Sequence, residues 1–84
     1  MRAGRAFEVK HVRSGVAPAV LAAPDRVDHV EIVEIDSGEV VLLWDLAPGD
    51  AKRVVRRIRE DLVNLQADEF IAAWRAADAE LSQP

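Results

Sequence analysis

From Ala51 onward the apolar residues Ala51, Val54, Val55, Ile58, Leu62 and Leu65 recur at intervals of one to four positions, a pattern that lays side chains in one stripe along an α-helix. Pro48 precedes them at the first helical position, where its missing N–H costs nothing, and Asp50 follows in the first turn, where a carboxylate complements the helix dipole. A helix with one oily stripe must bury it. A second stripe, Phe70, Ala73, Trp74, Ala77 and Leu81, begins behind Asp68 and Glu69. The periodicity falters at Asn64 to Gln66, so the chain reads as two helices joined by a short break, with one bent helix as the alternative. Phe70 and Trp74 read first as core, and second as the hot spot of a helix-in-groove contact.

Upstream, Val27 to Ile35 and Glu39 to Leu46 read as strands, rich in valine, isoleucine and leucine. Asp36-Ser37-Gly38 between them suits a three-residue hairpin loop with glycine in the left-handed region. That loop pairs Ile35 with Glu39, whereas a two-residue loop would set Asp36 against Glu39, like charge against like. Period-two alternation then gathers Val30, Ile32, Val40, Leu42, Trp44 and Leu46 on one face. Val33, Ile35, Val41 and Leu43 fall on the other, beside His29, Glu31, Glu39 and Asp45. Two helices cover only one face, so Val33, Ile35, Val41 and Leu43 are expected to form a protein interface, with a homodimer as the expected state.

Phe7, Val9 and His11 alternate with Glu8 and Lys10, which predicts an edge strand over residues 6–13 and a loop over 14–26, of the long kind that is functional or mobile. The fold class expected is therefore α+β: a small antiparallel sheet of two or three strands with a central β-hairpin, followed by two C-terminal amphipathic helices on one face. Residues 1–26 read as an N-terminal edge strand and loop, and residues 27–84 as a single domain of β-hairpin plus αα-hairpin.

With 84 residues and no cysteine, the chain has neither a large core nor disulfides to stabilise it, which also favours self-association. Glu8, Lys10, His11 and Arg13 interrupt any signal-peptide core, and no apolar run approaches the roughly 18–20 residues of a membrane span. A cytoplasmic protein without a membrane partner is expected. Nine arginines against two lysines, with abundant alanine, hint at a bacterial, GC-rich source.

The net charge of −4 is sorted along the chain: +3 over residues 1–24, −7 over 25–50, +5 over 51–59 and −5 over 60–84. Lys52, Arg53, Arg56 and Arg57, with Arg59 beyond them, form a candidate partner or nucleic-acid surface on the first long helix. The plainer reading is a solvated face paired with nearby acids. No aromatic residue is interleaved, so base stacking is not indicated.

Strand, helix, helix over residues 39–81 resembles, in coarse topology, the ribbon-helix-helix family of dimeric DNA-binding regulators. That resemblance implies a two-stranded dimer ribbon presenting polar, often basic, side chains to the major groove, where this strand carries Glu39, Val40, Val41, Leu42, Leu43, Trp44 and Asp45. Val41 to Leu46 also looks like the strand ending in Trp-Asp of a WD40 propeller blade, yet a single blade cannot close a propeller. Trp44 is read as an anchor, its ring against the helices and its N–H on an acceptor. His29 near Glu31 or Asp45 is a surface pattern before it is a metal or acid-base site, no serine has a base at motif spacing, and the scattered glycines make no phosphate loop. The expectation is a non-enzymatic protein-interaction or regulatory module acting as a homodimer, without cofactor or metal. The alternative is a nucleic-acid-binding regulator using the basic helix.

Overall fold

A computed structural model of the chain describes residues 1–13 and 27–81; the loop expected at 14–26 lies outside the described residues. In chain order come a single-turn helix α1 (Ala3–Ala6), strands β1 (Phe7–Arg13), β2 (Asp28–Glu34) and β3 (Val40–Leu46), and helices α2 (Pro48–Asn64) and α3 (Ala67–Leu81). The strands form one antiparallel sheet in the order β1-β2-β3, and the two long helices pack against it. This is the expected α+β architecture. No helix among the described residues is long and apolar enough to cross a membrane.

Both apolar stripes meet the sheet. Ala51, Val55 and Ile58 of α2 and Phe70 and Trp74 of α3 are buried with Val30, Ile32, Leu42 and Trp44 of the sheet. The four aromatic residues of the chain form a continuous run: Phe7 stacks on Phe70 with ring centroids 5.5 Å apart, Phe70 meets Trp74 at 6.5 Å, and Trp74 meets Trp44 at 5.7 Å. Each indole N–H donates to a helical carboxylate, Trp44 to Asp78 at 2.8 Å and Trp74 to Asp61 at 3.1 Å. Phe70 and Trp74 are thus core residues, and Trp44 is the anchor its amphipathic ring suggested.

The hairpin departs from expectation at its tip. The predicted register holds from Asp28↔Leu46 to Ile32↔Leu42, then shifts so that Val33 faces Val40. Ile35 lies just beyond β2, its N–H bonding Ala6 O at 2.9 Å on the β1 side, while Glu34 N–H bonds Glu39 O at 2.9 Å and Gly38 N–H bonds Glu34 O at 2.8 Å. Gly38 has φ +74°, the left-handed conformation that glycine adopts without a Cβ penalty. Ser37 Oγ ties the turn, donating to Glu34 and accepting from Glu39 N–H. The shift exchanges the faces of two valines: Val41 packs against the core, and Val40, expected inside, is 49% exposed.

The first residues are built into the joint between the long helices. Leu65 turns extended at the end of α2, and Ala3 N–H donates to Leu65 O at 3.0 Å while Ala67 N–H donates to Met1 O at 2.8 Å. The Met1 amino group bonds Gln66 Oε1 and the Arg2 guanidinium bonds Asn64 O. A Cβ on Gly4 would come within 3.2 Å of Leu62 O, so α1 lies almost in backbone contact with α2. Ala3 and Phe7 are core residues.

Phe70 touches both neighbours in the aromatic run and has no exposed surface. Phe70→Ala is expected to cost about 3–5 kcal/mol, a large share of the about 5–15 kcal/mol that holds a native domain together. Urea denaturation followed by tryptophan fluorescence would show a midpoint shifted far toward zero.

Candidate functional site

The polar faces of α2 follow from helical spacing. Asp50, Arg53, Arg57 and Asp61 lie along one stripe and neutralise one another: Arg53 pairs with Asp50, and Arg57 Nε lies 3.8 Å from Asp61 Oδ1. Lys52, Arg56 and Arg59 lie along another, at i, i+4 and i+7, spanning about 10 Å of helix. Among the described residues none of these three has a carboxylate within ion-pair distance. Like charges one turn apart destabilise a helix by about 0.2–0.5 kcal/mol per pair, so this stripe is unfavourable within the isolated chain.

Beside it runs edge strand β1. Its inward face begins apolar with Phe7 and Val9 and continues with His11 and Arg13, since inward positions alternate. The β1–β2 register sets His11 opposite Val30 and Arg13 opposite Asp28, which makes His11 and Asp28 diagonal neighbours on one face. His11 Nε2 lies 2.9 Å from Asp28 Oδ2, with side chains 16% and 2% exposed. A carboxylate this deep is held only where charge and hydrogen bonds compensate its desolvation.

Between β1 and α2 lies a groove of about 750 Å³ whose walls include His11, Arg13, Lys52, Arg56 and Arg59. The exposed Val63 is its apolar surface, with the core residue Val55 at its base, and Glu60 is the acid in its lining. At its head His11, Arg13 and Lys52 also border a smaller recess of about 320 Å³, which closes on Asp28 and on Pro48 and Gly49 at the start of α2.

The structure therefore divides the basic surface foreseen in the sequence. Lys52 and Arg56 reach the groove, whereas Arg53 and Arg57 are taken up by carboxylates of their own helix. Arg59, the next member of the 52/56 stripe, was legible from spacing, as was the phase of His11 and Arg13 with Phe7 and Val9. Asp28 carried no signal, because its role depends on the pairing of β1 with β2. His29 does face Asp45 and hydrogen-bonds it, with both side chains largely exposed; no group of three metal-ligating side chains occurs among the described residues. Of the residues expected at an interface, Ile35 and Leu43 are 47% and 52% exposed, Val33 is buried, and Val41 is turned to the core.

The chain matches no protein-family model, and neither a curated protein nor a solved structure is significantly similar to it.

Asp28→Asn keeps the shape of the side chain and removes its charge. Hydrogen bonds to charged groups contribute about 1.5–3 kcal/mol, and a loss of that size in unfolding free energy, read from paired urea titrations, is the expected outcome.

Proposed function

We propose that the protein is a binding module that receives an acidic segment of a partner protein in the groove between β1 and α2. The observation that carries this reading is the convergence of Arg13, Lys52, Arg56 and Arg59 on one groove, without a carboxylate partner among the described residues. In a chain whose net charge is −4, such a stripe is a local exception, and a positive channel in an acidic molecule steers an anionic ligand to one place. The exposed Val63 in the groove favours a peptide, which brings apolar side chains with its acids. A nucleic acid would be better served by aromatic platforms, and none of the four aromatic residues lines the groove.

The test is fluorescence anisotropy with a labelled peptide of alternating glutamate and alanine. Wild-type protein should bind it, and Arg56→Glu/Arg59→Glu should weaken binding at least tenfold, since two favourable contacts become repulsions. Tighter binding of a labelled duplex or single-stranded oligonucleotide, with a steep salt dependence, would replace the peptide reading with the nucleic-acid one.

A homodimer through the outward face of the sheet is a second reading, supported by the half-exposed Val12, Val40 and Leu43. Leu43→Lys should then halve the mass measured by light scattering while leaving the far-ultraviolet circular dichroism unchanged. A monomeric wild type would remove this reading.

A further inference from the structure

We propose that the recess at the head of the groove is a phosphate-monoester site, so that the acidic segment docked beside α2 carries a phosphorylated residue; this rests on the groove reading above and specifies its ligand. The recess differs from the rest of the groove in kind. Lower down, Arg56 and Arg59 stand in a row on one helix, an arrangement suited to separate carboxylates. At the head, cationic donors arrive from two elements, Arg13 from β1 and Lys52 from α2, around one pocket of about 320 Å³ that His11 also lines.

Charge and shape both select for phosphate. Arg13 and Lys52 are exposed, fixed cations, and together they match the about −1.5 to −2 charge of a phosphate monoester better than the single charge of a carboxylate. Its three terminal oxygens can meet the two-pronged guanidinium fork and the ammonium from different directions, where a planar carboxylate offers only two oxygens. Asp28 is nearly buried and turned to His11 Nε2, so the carboxylate that borders the recess holds the imidazole ring in place. The first turn of α2 adds to the field. Its N-cap is Ala47, which makes no side-chain cap hydrogen bond, and the Asp50 carboxylate is paired with Arg53. Pro48 and Gly49 border the recess, so the positive end of the helix dipole lies at its wall.

The experiment is isothermal titration of the full chain with three probes: the glutamate-alanine peptide, the same peptide with phosphoserine at one end or the other, and inorganic phosphate alone. For wild type, phosphoserine at one of the two ends is expected to tighten binding about tenfold or more, the scale of adding charge-assisted hydrogen bonds. Arg13→Gln/Lys52→Gln, at exposed positions that leave the core untouched, should weaken both peptides and abolish the gain, so that the phosphorylated and unphosphorylated peptides bind within about twofold of each other. Arg56→Gln/Arg59→Gln should weaken both peptides and preserve the gain. If the unphosphorylated peptide binds and phosphoserine adds less than twofold, the phosphate site is overturned and the groove reading stands. If neither peptide binds, the groove reading fails and the phosphate site falls with it. Inorganic phosphate binding as tightly as the phosphopeptide would assign the recess to a free anion and overturn the proposal of a phosphorylated segment.

Discussion

The run of rings from Phe7 through Phe70 and Trp74 to Trp44 is the contact on which the other layers depend. It begins on edge strand β1, crosses α3 and ends on edge strand β3, so one helix ties the two outer strands of the sheet together. Aromatic side chains bring large buried areas with few rotatable bonds, which suits a domain too small to hold many core residues. The indoles add direction. Asp61 near the end of α2 accepts from Trp74 of α3, and Asp78 near the end of α3 accepts from Trp44 of β3, so one bond orients the helices to each other and the other orients α3 to the sheet.

The orientation of α2 decides which of its charges face which way. With Ala51, Val55 and Ile58 turned to the core, the flanking stripe of Lys52, Arg56 and Arg59 is turned toward β1. The opposite flank holds the self-neutralising set from Asp50 to Asp61. The same helix therefore carries one electrostatically quiet face and one that is unbalanced. The sheet reinforces the contrast, because the inward face of β1 changes from Phe7 and Val9 to His11 and Arg13 as it leaves the aromatic run and passes under the start of α2. The change from core to groove falls within β1, between Val9 and His11.

Much of this was legible in the sequence, and the remainder has identifiable physical reasons. Strands, helix order and the break at Asn64 to Gln66 follow from periodicity, which is a local property. The faces of Val40 and Val41 were misassigned because the register shifts at the hairpin tip, where Glu34 N–H bonds Glu39 O and Ser37 and Gly38 close a wider turn than the one expected. Nothing near Val40 reports that shift. Helix α1 was unforeseen for a similar reason, since Met1 to Ala6 has no apolar pattern and takes its order from backbone groups more than sixty residues away. At the candidate site, the 52/56/59 spacing could be read directly. Setting Arg53 and Arg57 apart from it required the locations of Asp50 and Asp61 and the direction of the core. The His11–Asp28 pair needed the strand register, a relation between segments that no single window contains.

The bonds from Met1, Arg2 and Ala3 to Asn64, Leu65, Gln66 and Ala67 also bear on how the native state is reached. They join segments separated by 62 to 66 positions, and closing so long a loop carries its entropic cost before the contact returns anything. Met1, Arg2 and Ala3 have these partners only once the joint between α2 and α3 has formed. The α2–α3 joint thus acquires these backbone bonds only when the two distant segments have come together.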